Sequence, residues 1–203
     1  MKRAALLAGL LVVAGCGGTT AEQQATTAAR TTGHATTSTA ATTTAPPSCP
    51  SFSGGTATQR SATKPANTML LTAVHVDSDT CKDTIIFSFR SAGGAEPGYT
   101  VGYRPAEEAQ TQDASGKHIA IAGKAFLVIR FEPAATADLT GAKPVFTYTG
   151  PSKFAPAGMR FTRELAKTGD FEAVLTWAIG LSEERPFKVT SSGSPAQVTV
   201  EVG

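Results

Sequence analysis

Three short patterns in the chain carry side chains that together could perform acyl transfer. Ser61-Ala62-Thr63-Lys64 sets a hydroxyl and an amine at the spacing of one helical turn. Ser78-Asp79-Thr80 places a hydroxyl beside a carboxylate, and Lys167-Thr168-Gly169 adds a second amine, in the order used by serine enzymes that react with β-lactams. That chemistry needs its nucleophile at the start of a buried helix, so that the lysine one turn later faces it. Ser61 lies instead in a Gly/Thr-rich stretch without a helical apolar face, and patterns of three or four common residues recur by chance. The sequence therefore argues against catalysis.

The remaining reactive side chains are scattered. His34, His75 and His118 share no zinc-ligand spacing. Asp77-Ser78-Asp79 offers oxygens to calcium, but nothing completes a coordination loop, which predicts a turn. The sequence has no Gly-x-Ser-x-Gly, no phosphate-binding loop and no dinucleotide fingerprint. Glu107-Glu108 and Glu183-Glu184 read as solvated loop pairs. The expectation is a protein that is not an enzyme, with no catalytic residues, no metal ligands and no cofactor. Trp177, set among Phe171, Leu175 and Ile179, is expected in the core rather than on a sugar-stacking surface. Tyr99, Tyr103 and Tyr148 are expected to be exposed and stand as candidate ligand contacts.

Cys16 carries a different chemistry. Lys2 and Arg3 precede an apolar run from Ala4 to Ala14, and Val13-Ala14-Gly15-Cys16 has the small residues before a cysteine at which a bacterial lipoprotein signal is cut. Its thiol is the one side chain here nucleophilic enough to take a diacylglyceryl group. Two acyl chains anchor a protein stably where one would be marginal. Residues 1–15 are thus expected to be a signal peptide. Cys16 is expected to be lipidated, holding the protein on the outer face of the cell membrane. Cys49 and Cys81 remain, and an even pair in an exported domain predicts a structural disulfide.

From Gly17 to Ser48 the chain is rich in Thr and Ala with scattered Gln, Gly and Pro, a composition that cannot bury enough apolar surface to offset its ordering entropy. Residues 16–48 are read as a tether of about 30 Å root-mean-square reach, and residues 49–203 as one domain. The whole chain carries 18 Lys and Arg against 16 Asp and Glu. Omitting Lys2, Arg3 and Arg30 from the first, and Glu22 from the second, leaves 15 of each from Cys49 onward. A neutral domain is not built for long-range attraction to nucleic acid. No apolar run reaches the 18 or so residues of a membrane-spanning helix.

These side chains must be positioned by strands. Leu70, Thr72, Val74 and Val76 alternate onto one side, as do Ile85, Phe87 and Phe89. Further strand patterns run from Tyr99 to Tyr103, Phe126 to Phe131, Val145 to Tyr148, Phe187 to Thr190 and Gln197 to Val202. In Asp170 to Ile179, Phe171, Ala173, Leu175, Trp177 and Ile179 are expected to point one way. Arg160 to Thr168 fits either a short helix or a strand. Eight to ten strands punctuated by Gly, Pro, Asp and Ser, with at most one short helix, predict an all-β protein: an antiparallel β-sandwich, or alternatively a partly open barrel.

The order of segments resembles a known family. Leu71-Thr72-Ala73-Val74-His75-Val76, Asp83 to Phe89, Pro97 to Tyr103, Gly169 to Leu181 and Pro186-Phe187-Lys188-Val189 are similar to the AMIN-like domain of actinobacterial exported proteins and lipoproteins, over about residues 69–202. The resemblance implies a β-sandwich related to modules of cell-wall amidases and secretins that are associated with peptidoglycan binding. It implies a non-catalytic envelope module whose partner is peptidoglycan or an envelope protein. Thr84 and Gln197 depart from it, since the family pattern leads one to expect Arg at both. The alternative function is an interaction subunit that docks an envelope enzyme or transporter.

Overall fold

The computed structural model describes residues 48–91 and 94–203. Cys16, the signal peptide and residues 16–47 of the expected tether lie outside the described residues. The elements in chain order are β1 (Gln59–Arg60), β2 (Met69–Ser78), β3 (Asp83–Arg90), β4 (Tyr99–Arg104), α1 (Ala106–Ala109), β5 (Ala125–Phe131), β6 (Ala134–Ala135), β7 (Ala137–Asp138), β8 (Val145–Phe146), β9 (Lys153–Phe154), β10 (Thr162–Phe171), β11 (Val174–Leu181), β12 (Phe187–Gly193) and β13 (Ala196–Val202).

They form a sandwich. One sheet runs β12-β13-β3-β2-β6 and the other β1-β4-β5-β11-β10-β9, while β7 and β8 make a separate two-stranded ribbon. All pairings are antiparallel except β2 with β6. Neither sheet closes on itself, so the barrel alternative is set aside. Alternation dictates the core: Ile85, Phe87, Val198 and Val200 from the first sheet meet Leu127, Ile129, Phe131, Leu175, Trp177 and Ile179 from the second, all at 0% exposure. Phe87, Tyr148 and Phe154 stand edge-on around Trp177, each such pair adding to the area it buries. Trp177 is thus a core residue.

Two stretches depart from the alternation expected of them. Met69 and Leu71 are buried, whereas Leu70 is only half-buried and Thr72 exposed. A bulge between Leu71 and Ala73 inserts Thr72 as an unpaired residue, after which Val74 and Val76 turn inward. The strand expected from Asp170 to Ile179 is two strands. Phe171 pairs with Val174 across a two-residue turn in which Glu172 and Ala173 have φ of 50° and 58°, the backbone of a type I′ hairpin. Phe171 is therefore on β10 and 56% exposed. Glu-Ala lacks the Asn-Gly signature that would have revealed this turn. Of the two readings of Arg160 to Thr168, the strand holds, because β10 begins at Thr162.

Polar clamps fix the sheets to each other and to the approaching chain. The Asp83 carboxylate, fully buried at the start of β3, accepts hydrogen bonds from Ser78 Oγ and from the backbone N–H groups of Arg160, Phe161 and Thr162 at the start of β10, at 2.7–2.8 Å. Burial pushes this carboxyl up, but those four donors outweigh it and hold it below the usual carboxylate range. A disulfide joins Cys49 to Cys81, with Cα atoms 5.3 Å apart. Gln59 closes the edge of β12, donating through Nε2 to Phe187 O and accepting through Oε1 from Val189 N.

Candidate functional site: a trough on the outer face of the second sheet

Strands β4, β5, β11 and β10 present mostly small or polar residues on the side away from the core. Their register sets Thr100 beside Arg130 and Thr176, Gly102 beside Val128 and Ala178, and Arg104 beside Phe126 and Gly180. A face this flat lets chain pack directly on it, and the excursion between β4 and β5 does so. Ala109 of α1 and Ile121 join Phe126, Ala166 and Ala178 in a second apolar cluster. At Gly180 a Cβ would overlap the Ala122 carbonyl, so glycine lets residues 121–123 cross there. Ala122 N then donates to Glu164 on β10, which also pairs with Lys153.

Between this cover and the strands lies a trough of about 280 Å³. Thr100, Gly102, Val128, Thr168 and Thr176 line it from the sheet, Thr111 and Asp113 from the excursion, with Arg104 and Arg130 at its rim. Asp113 is built in: its N–H donates to Thr168 O at 2.8 Å, and its Oδ2 accepts from Thr176 Oγ1 at 2.7 Å. Gly169 makes room for that carboxylate, which a Cβ would overlap. Thr168, 2% exposed, completes the lining on the β10 side. A second hollow of about 410 Å³, bounded by Lys167, Asp170 and Phe171, also reaches Asp113.

Each guanidinium pairs with an exposed carboxylate, and Arg104 Nη1 also donates to the Tyr103 carbonyl at 3.1 Å. Arg104 Nε lies 3.0 Å from Glu108 Oε1, and Arg130 Nη2 lies 3.3 Å from Glu132 Oε2. Exposed pairs of this kind contribute about 0–1 kcal/mol, so an incoming carboxylate competes with them readily. Lys64 first, then Arg130, hold the Glu132 carboxyl below its usual range.

The patterns with which the sequence began do not converge. Ser61 Oγ accepts from Tyr99 N, Lys64 pairs with Glu132 at 3.1 Å, Ser78 donates to Asp83, and Lys167 pairs with Asp170 at 2.9 Å. Each is committed to a partner of its own. Asp79 Oδ1 accepts the N–H groups of Cys81 and Lys82, which makes Asp77-Ser78-Asp79 part of a turn. The tyrosines are corrected. Tyr148 is buried against Trp177, Tyr103 spends its hydroxyl on the backbone N–H and C=O of Arg185, and Tyr99 is half-buried against the core. Burial raises the pKa of all three. Thr84 and Gln197 lie on the outer face of the first sheet, Gln197 donating to Ser88 Oγ and Thr84 lying beside Glu201 and Asp77 across the strands.

Arg104, Asp113, Arg130 and Thr176 do not stand out in the sequence as candidate site residues, and Thr168 stands out only within Lys167-Thr168-Gly169. The available signal was the outward phase of β4, β5 and β11, where Thr, Gly and Arg replace the apolar residues of the inward phase.

The fold is a two-sheet sandwich with one sheet covered and grooved on its outer side. The model of the AMIN-like domain family matches residues 69–203, and the chain belongs to that family. AMIN-like domains are non-catalytic binding modules of the cell envelope, associated with peptidoglycan. No curated protein and no solved structure matches the chain.

Proposed function

We propose that the protein is an exported lipoprotein that holds an envelope-binding domain at the outer face of the membrane and binds peptidoglycan through the trough on its second sheet. In this reading residues 1–15 are the signal, Cys16 is the lipidated residue and residues 16–48 form the tether to a domain of residues 49–203. The observation that carries it is the trough itself, an open, preformed groove that gathers hydroxyl, guanidinium and carboxylate groups on a sandwich of the AMIN-like family. The test is co-sedimentation of the Cys16→Ser chain with purified wall sacculi. Saturable pelleting is expected, and no pelleting above an unrelated exported protein refutes the reading.

A second reading, an interaction subunit docking an envelope protein, is favoured by one feature. Leu139, Val145 and Phe146 on the β7–β8 ribbon are 70%, 58% and 69% exposed, and apolar groups gathered this way mark protein contact surfaces. Crosslinking from position 146 in intact cells tests it. A single defined adduct supports this reading, and none opposes it.

A further inference from the structure

We propose that the trough reads the peptide part of its ligand, taking an extended segment whose carboxylates are received by Arg130 at one end and Arg104 at the other. This inference rests on the wall-binding reading and names the chemistry within it.

Register fixes the span. Arg130 is level with Thr100, and Arg104 is four residues further along the same strand, which at about 3.3 Å per residue places the two rows about 13 Å apart. Four extended residues of a bound peptide cover that length. Between the two ends the floor is Val128 and Gly102, with the Thr58 side chain packed beside the glycine. Thr168 adds to the lining from the β10 side. On the facing wall Asp113 keeps one carboxylate oxygen beyond its bond to Thr176, an acceptor for an amide or ammonium. Sites of mixed sign suit a chain that itself carries carboxylates and donors. A planar guanidinium matches a carboxylate with two parallel bonds, which a hydroxyl-rich sugar cannot return.

The same lining argues against sugar rings as the main ligand. Binding of pyranose rings commonly uses an aromatic face, and among the described residues no aromatic side chain lines the trough. Trp177 and Tyr148 are turned into the core instead. The peptide stems of the wall supply what the groove asks for: several carboxylates, amide groups and an amine along one extended strand.

The experiment uses two probes with the Cys16→Ser chain: purified sacculi, and a soluble synthetic stem peptide with free carboxylates. Arg104→Ala and Arg130→Ala are each expected to weaken binding of both probes at least about tenfold, the loss that goes with one charge-assisted contact. Converting the stem carboxylates to amides is expected to do the same to the unaltered chain. Arg130 is exposed and Arg104 half-buried, so unchanged thermal unfolding of each variant is the control that separates a binding loss from misfolding. If sacculi pellet equally well with both variants and after amidation, the carboxylate inference is overturned while wall binding stands. If sacculi fail to pellet but the stem peptide binds and the arginine variants lose it, the inference stands and the wall reading falls. If neither probe binds, both are overturned.

Discussion

Replacing Asp83 tests whether one buried carboxylate holds the two sheets in register. Its side chain is fully buried and accepts four hydrogen bonds, one from Ser78 and three from consecutive backbone N–H groups on the opposite sheet. Asp83→Ala removes all four acceptors. A stranded buried donor costs about 1–3 kcal/mol, and the Ser78 hydroxyl and the Arg160 N–H lie near enough to the surface to regain water. The remaining loss is about 4 kcal/mol. Asp83→Asn keeps one acceptor oxygen and turns an NH2 towards donors, for a loss of about 2–3 kcal/mol. For a domain of this size each kcal/mol shifts the midpoint of thermal unfolding by about 2–4 °C, so the alanine variant is expected to melt about 8–16 °C lower.

The sign with pH follows from the depressed folded-state pKa of Asp83. Its contribution is fully present above the unfolded carboxyl pKa of about 3.9 and is lost as pH falls through the lower folded value. Urea titrations of parent and Asp83→Asn at several pH values are the assay. The stability gap should be constant from pH 5 to 8 and should narrow below about pH 4. A loss under about 1 kcal/mol for Asp83→Ala, or a gap that stays flat to pH 2, refutes the clamp.

Further expectations concern other parts of the fold. Cys49→Ser, or reduction of the Cys49–Cys81 bridge, should cost about 3–4 kcal/mol by the chain-entropy argument for a sequence separation of 32, read as a lower urea midpoint in reducing buffer. Gly180→Ala should cost about 2 kcal/mol or more, because its Cβ would meet the Ala122 carbonyl and lift the cover off the sheet; faster amide exchange at residues 119–123 is the matching readout. Leu139→Ser and Phe146→Ser should change stability by less than about 0.5 kcal/mol, since both side chains are already exposed, while reducing the binding of a hydrophobic dye.

The sandwich was legible because its inward residues alternate without interruption where it matters. Ile85, Phe87 and Phe89 on β3, and Leu175, Trp177 and Ile179 on β11, declare a buried face by period alone. Errors arose where backbone geometry broke the period without a sequence marker, at the Thr72 bulge and at the Glu172-Ala173 turn. Asp83 escaped notice because its donors come from Arg160, Phe161 and Thr162, nearly 80 positions away. The trough was hidden for a related reason. Arg104 and Arg130 are unremarkable surface residues in sequence, and only the pairing of β4 with β5, together with Asp113 folding back onto Thr168 and Thr176, places them around one groove. The tyrosines misled in the opposite sense, since a phenol reads as polar until a partner such as the Arg185 backbone buries it.

The cover over β11 bears on how the trough would bind. This strand, which contributes Thr176 to the trough, is buried on both faces, by the core on one side and by the excursion on the other, and a preformed wall of this kind is expected to add little ordering cost to binding. Electrostatics then act locally, because the 15 acidic and 15 basic residues from Cys49 onward leave no net field to steer a charged ligand from afar. Guanidinium–carboxylate contacts at the rim remain subject to screening over a Debye length of about 8–10 Å. Stem-peptide affinity is therefore expected to fall only a few-fold between 0.05 and 0.5 M salt, with the loss expressed in dissociation rather than association. Surface-immobilised stem peptide with the chain in solution separates the two rates. An association rate that collapses with salt would mean that the ligand is drawn in by a charged patch elsewhere, and the trough would no longer be its seat.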